Sequence, residues 1–561
     1  MKPILILLSL ILSNTSCNND DNKTTSIVQS DQKVYYNAKI YTVNTSQKWA
    51  EAMIIEGKNI TFIGSDIEAK NIANKNAAYI NLEGAVVLPG IHDVHMHPLE
   101  ASSENFLFIL NEEETNVENY TSTIQNALSV NPDAEWLLGW GHSFYALLDA
   151  ERSPLAILDD ISTTRPILIM EQTSHSFWAN SKALELAGIH ENTPNPVGGI
   201  YMKEEDGSLN GILIDNAGNE LLDMVLSPTQ KTIENDYQGF KNYGLVELRK
   251  NGITSVCDAR TYWKRDHHLI WKRLEEEGNL TVRANLGLWA YPSENDASQI
   301  ATLQSLYSND PNSFLKINQI KLYSDGIIHQ TTSAMEEDYL VNFFKEPTNN
   351  GLSYFNKNRI ADYINQLETT GFDLHIHAIG NRGIRETLDA IEQSGTARGR
   401  HRITHLEFVN ESDLARFAQL NVTADCQVAG DFTNPEHWSE NDELIGSSNT
   451  QKVVPIKSLI QANARLTLSS DWDVSNLNPF VGMQHAVTRV PENISLEEAI
   501  KAYTINGAYV MRQEDKVGSL EVGKLADFIV LNQDIFEIEP NAIGQTRVDL
   551  TVLNGEIIYE R

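Results

Sequence analysis

Apolar and polar residues alternate through three short runs near the start of the chain, "KVYYNAKIYTV", "EAMIIEGKNITFIG" and "AYINLEGAVVL". Strand side chains point to opposite faces in turn, so this pattern predicts half-buried strands, joined by turns such as Glu56-Gly57-Lys58-Asn59. The same texture returns near the other end, in "GSLEVGKLADFIVLN" and "RVDLTVLNGEIIYER". The two ends together predict a small β-sandwich domain built from residues 33–88 and 490–561.

The middle, residues 89–489, changes rhythm. Short β-branched runs ("GITSVCDA", "VRANLGLWA", "INQIKLYSDG", "FDLHIHAIG", "HRITHLEFV", "NVTADCQVA", "RLTLSSDWD") are separated by helix-compatible stretches such as "IADYINQLETTG" and "GIRETLDAIEQSG". With "AVVLPGIHDVHMH" they make eight strands, the number an α/β chain needs to close a (β/α)₈ TIM-type barrel. Between His97 and Gly252 lie about 150 residues, several times a normal βα connection. That interval, residues 100–235 or so, holds "SKALELAGI" and the hairpin signal "VGGIYMKEEDGSLNGILID", and is expected to fold as an insertion over the barrel mouth.

Length and charge narrow the class. The chain has 561 residues, 41% of them hydrophobic, enough for a large core, and its net charge of −33 argues against nucleic acid or an anionic membrane surface as partner. Residues 1–17, "MKPILILLSLILSNTSC", pair one lysine with an apolar run too short to span a bilayer and end at Cys17. They read as a secretory signal resembling the bacterial lipoprotein type, followed by a polar tether over 18–32. The expected location is outside the cytoplasm, lipid-anchored through Cys17, with a soluble periplasmic product as the alternative. Cys257 and Cys426 lie in apolar strand-like runs and are expected as small core residues rather than a disulfide.

Candidate chemistry gathers at the ends of the predicted barrel strands, where such barrels place their active sites. In "GIHDVHMHP", His95 and His97 share a strand face, and later strand ends add Lys321, His377, His405 and Asp471. Each residue alone also reads as a paired core or strand-end group. Together they supply the imidazoles and carboxylate that a borderline divalent metal such as zinc favours. Lys321 is flanked by apolar residues, so its ammonium must be paired, neutralised or modified, and beside two cations a lysine that has taken up CO₂ bridges both as a carbamate.

The ordered set "LPGIHDVHMHP", "GITSVCDAR", "IKLYSDG" with "TTSAMEEDY", "HIHAIGNRG", "ITHLEF", "SSDWDV" and "GSLEVGKLADFIVLN" resembles the amidohydrolase superfamily. Within it the chain is similar to the YtcJ-like, N-substituted formamide deformylase-like group of amidohydrolase family 3. The resemblance covers nearly everything after residue 33 and implies a metal-dependent barrel beside a composite β-sandwich. It further implies His95, His97, His377, His405 and Asp471 as ligands and Lys321, N6-carboxylated, at the bridging position. Three departures stand out: Asn381 in place of aspartate, Thr404 in place of glutamate, and His142 in place of tryptophan.

The implied activity is hydrolysis of a non-peptide C–N bond of a small molecule by metal-activated water, with one or two divalent ions, zinc the expected one, and Asp471 taking the water proton and handing it to the leaving nitrogen. Trp140, His142, Trp178, Asn180, Asp325, Gln427 and Trp472 are the candidates for pocket lining, and a homodimer is the expected assembly. Rival readings are hydrolysis of an ester or a cyclic amide, or a deamination, at the same site, and a catalytically silent surface-binding lipoprotein. The intact ligand set disfavours the last.

Overall fold

A computed structural model describes residues 31–561 apart from 112, 346, 397, 431 and 432; the predicted signal, Cys17 and nearly all of the tether lie outside them. Eight parallel strands form one sheet: β1 (Ile91–Met96), β2 (Ile253–Thr261), β3 (Arg283–Trp289), β4 (Leu315–Tyr323), β5 (Asp373–Ala378), β6 (Arg402–His405), β7 (Thr423–Gln427) and β8 (Arg465–Ser469). Each pairs with its successor, and beyond the last ladder the backbone N–H of Asp471 donates to His95 O (2.9 Å) and that of His97 to Trp472 O (2.6 Å), drawing β8 against β1. Both faces are covered, so the strands read as near-continuous buried runs; every residue of β2 is buried. The covering helices carry apolar stripes at helical spacing, as in Asn381–Ser394, which buries Ile384, Leu388 and Ile391.

The long interval after β1 folds as expected. Phe108–Ile109, Leu137–His142, Ile167–Glu171, Ser176–Ala179, Leu209–Asp215 and Gly199–Lys203 form a six-stranded mixed sheet in that spatial order. Alternation divides neighbouring residues between two cores: Leu137, Ile169, Trp178 and Ile212 pack on one face, Leu138, Leu168, Phe177 and Leu213 on the other. Helices Gln230–Gly239 and Leu245–Lys250 then lead back to β2.

Both ends of the chain build the remaining sheets. One, of four strands, is made by Asn59–Gly64, Ala52–Glu56, Gln32–Tyr36 and Ala78–Asn81; in the other, of six, Val86–Pro89 lies between Lys39–Tyr41 and Phe528–Leu531. Tyr35, Met53, Val87, Phe528 and Val552 fill a shared core. The sandwich draws less on the C-terminal segment than its predicted start at 490 implies. Residues Leu496–Ala502, opened by a Ser495–Glu498 capping box, and Ile505–Val510 are helices seated on the barrel. Tyr503 O accepts from the His92 backbone N–H (2.8 Å), and Asn506 Nδ2 donates to Leu466 O (2.8 Å). The helical spacing of Ala499, Ile500 and Tyr503 is the physical reason: their apolar face needs a flat partner, and the barrel end provides it. No described helix is long and apolar enough to cross a membrane.

Candidate active site

At the C-terminal end of β1, alternation places His95 and His97 on one side, and their Nε2 atoms lie 3.1 and 3.0 Å from Asp471 Oδ1, just past β8. His405, at the end of β6, brings Nδ1 to 3.9 Å from Asp471 Oδ2. Its ring lies 4.9 Å from that of His95 and 4.4 Å from that of His377, which closes β5. Lys321 on β4 is fully buried, in register with Trp289 of β3 and His375 of β5. Five strand ends thus converge on one space.

Lys321 Nζ and His377 Nδ1 are buried there with no hydrogen-bond partner among the described residues, and His95 Nε2 and Asp471 Oδ1 face each other without a well-formed hydrogen bond. Such orphans are costly, so several together mark a place built for a ligand they share. His95, His97 and Asp471 offer donor atoms all within 4.8 Å of one another. Imidazole nitrogens and a carboxylate oxygen fit a divalent cation of zinc's type. Electrostatics agree: burial, then the charge on Lys321, holds His95 well below the ordinary imidazole range, and burial keeps His377 and His405 neutral as well. Burial alone would raise the Asp471 carboxyl, but the imidazoles of His95, His97 and His405 hold it well below its usual value. Burial also pushes the Lys321 pKa far down, towards the neutral amine that reaction with CO₂ requires.

A hydrogen-bonded layer fixes these side chains. Asp93 accepts from the backbone N–H groups of His95 (3.3 Å) and Ser470 (3.2 Å), tying β1 to the end of β8. His95 Nδ1 lies 2.8 Å from His375 Nε2 and 2.9 Å from Thr404 Oγ1, and His375 Nδ1 accepts from Arg402 Nη2 at 2.7 Å. His375 is therefore behind His95, deeper in the barrel. His95, His375 and Asp425 also offer three clustered donors, but Arg402, Thr404, Thr467 and Ser469 already occupy them. They form the floor of the site.

The pocket candidates separate. Trp140 lines a cleft of about 870 Å³ with Leu110, Thr173, Ala429, Asp473 and Val474, between the insertion and the loops after β7 and β8. Trp472 lines a neighbouring cleft with Tyr243. Trp178 and Asn180 are corrected: the Trp178 indole is fully buried in the insertion core, donating to Pro154 O (2.9 Å), and Asn180 caps the helix Ser181–Ala187. His142 is likewise fully buried, its ring 6.4 Å from that of Trp178. Asp325 accepts from the backbone N–H groups of Ala334, Ile379 and Gly380, so it closes a loop beside His377. Gln427 Oε1 accepts from the His405 backbone N–H (3.0 Å) and orients that histidine. Asn381 does not reach the candidate ligands; its Oδ1 accepts from the Glu336 backbone N–H.

Sequence reasoning missed Arg260 and Glu100, although Arg260 obeys the same strand-end rule. Its guanidinium lies 3.1 Å from Glu100, donates to Tyr323 Oη (3.2 Å), and Tyr323 stacks on His377 with centroids 4.0 Å apart. It also missed His175 and Asp215 of the insertion, which no local pattern connects.

The sequence pattern of the amidohydrolase family matches residues 78–559. The chain belongs to the amidohydrolase family. Among curated amidohydrolase relatives it is 25% identical over 555 residues to N-substituted formamide deformylase of Arthrobacter pascens, covering 94% of this chain and 98% of that one. It is 26% identical to Protein LONG AFTER FAR-RED 3 of Arabidopsis thaliana, over 93% and 91% of the two chains. The amidohydrolase fold also matches an uncharacterized metal-dependent hydrolase from Pyrococcus furiosus, with a TM-score of 0.70 and 24% identity over 91% of this chain and 100% of that one.

Proposed function

We propose that this amidohydrolase cleaves an amide-type, non-peptide C–N bond of a small molecule, using a divalent metal held by His95, His97, His377, His405 and Asp471. The observation that carries the reading is the convergence of five strand ends on one buried cluster of imidazole and carboxylate donors. The N-substituted formamide deformylase among its relatives supports formamides and other N-acyl amines as the substrate class. When bound, the cation supplies Lewis acidity to water and to the scissile carbonyl. The chain's own residues do the rest. Asp471, kept ionised by the surrounding imidazoles, takes the proton as the water oxygen attacks the carbonyl carbon. Glu100 and Arg260 hold Tyr323 and His377 in place at the rim. The insertion roofs the space and keeps bulk water out. Lys321, neutral and without a hydrogen-bond partner among the described residues, would as a carbamate add oxygen donors to the same metal site.

The test is metal analysis joined to a substrate panel. Chelation abolishes turnover of N-alkylformamides or N-acyl amines, zinc restores it, and Asp471→Asn lowers kcat by about 10³-fold. Turnover that survives complete metal removal, or a preference for simple esters or lactams, overturns this reading.

A further inference from the structure

Strands Ser176–Ala179 and Leu209–Asp215 pair antiparallel with Ser176 opposite Ile214, and one step beyond the ladder His175 faces Asp215. The Asp215 backbone N–H donates to His175 O (2.7 Å), and the His175 ring Nδ1 meets Asp215 Oδ1 in a very short hydrogen bond. Asp215 is fully buried, and it holds a positive φ of +51°, a conformation that non-glycine residues seldom adopt. Ile167–Glu171 and Ser176–Ala179 are joined by the turn that carries His175, whose ring overhangs the barrel, 5.8 Å from that of Tyr323 and 5.7 Å from that of His377. A carboxylate thus fixes Nδ1, and the opposite ring nitrogen, Nε2, is the one left to meet a substrate. Asp471 lies against His95 and His97, near the end of β1, whereas His175 stands beside His377, at the end of β5.

We infer that His175, positioned by Asp215, is a further catalytic residue: it delivers the proton to the departing nitrogen. The inference rests on the amide reading above. As the water oxygen bonds to the carbonyl carbon, one water proton passes to Asp471. The C–N bond then breaks with its electron pair on nitrogen, which takes the proton from His175 Nε2. The proton on Asp471 returns through solvent to His175, so acid and amine leave and both residues are restored. The Asp215 carboxylate balances the imidazolium before transfer and holds the ring in one orientation, in the way a buried carboxylate orients histidine in hydrolytic triads.

Proton donation matters most where the leaving amine is a poor anion, so the test compares two formamides on the metal-loaded enzyme. His175→Gln, which keeps a polar side chain but has no transferable proton, lowers kcat/KM for N-butylformamide by about 10²-fold or more, while 4-nitroformanilide, whose anilide leaves unaided, loses less than about 10-fold. Asp215→Asn gives the same split with a smaller amplitude, and bound metal per chain stays at the wild-type value in both. Equal losses on the two substrates, or none, overturn the role of His175 even where the wild type turns both over. If His175→Gln does not fold, Asp215→Asn decides by the same ratio. A wild type inactive on both substrates instead overturns the amide reading, and this inference with it.

Discussion

Among the described residues nothing accepts a hydrogen bond from Lys321 Nζ; the ring of Tyr323 is centred 5.2 Å away. A buried amine with no hydrogen-bond partner is a cost even when neutral, and replacing it with an apolar side chain of similar length is commonly neutral or stabilising. Lys321→Met is therefore expected to keep or raise the melting temperature of the metal-free protein while lowering its metal content and abolishing turnover. A fall in that temperature would mean the lysine serves the fold. His405 and Asp471 hold φ values of +76° and +56°, strained for any residue but glycine. Such strain at two of the proposed ligands is what a site selected for chemistry shows. The placement of the proposed ligands at strand ends is legible because strand ends are predictable from alternation. Thr404 shows in the sequence as a departure from the family pattern behind the ligands; that it meets His95, and that Gln427 meets His405, depends on packing across neighbouring strands rather than on spacing along one.

Among elements, the insertion shows where pattern reading stops. Trp178 was placed at the pocket because it is an aromatic in a segment over the mouth, but its sheet is buried on both faces, and alternation alone does not say which face is core. The pairing of His175 with Asp215 arises from antiparallel register between strands 40 residues apart, which no spacing rule encodes. His142 yields a test of the insertion's interior. Burial pushes its pKa down to about 4, so it stays neutral in the fold but takes up a proton near 6.5 when unfolded. Its contribution is whole above pH 6.5 and is lost as pH falls towards 4. His142→Phe lacks this penalty. Relative to the wild type it should gain about 2 kcal/mol of stability between pH 8 and pH 5, measured by urea unfolding at each pH. A gap that does not move with pH would place a charge on the buried ring.

On the scale of the molecule, barrel, insertion and sandwich were each legible, since every one announces itself by a change in hydrophobic period. The boundary near 490 was not, because the helices over 496–510 sit between two β-rich units and belong to the barrel by packing alone. The export reading belongs at this scale too. Cys17→Ala should abolish incorporation of labelled palmitate and shift the protein from the membrane to the soluble fraction of cells, and unchanged fractionation would leave only a cleaved leader. The paired ends carry a last consequence. Val86–Pro89, paired on one side with Lys39–Tyr41, waits for Phe528–Leu531 on the other, so that edge stays open while the whole barrel between them is synthesised. A premature stop near the end of the gene, sparing every residue of the barrel, would still leave an apolar edge open to other chains and prone to aggregate.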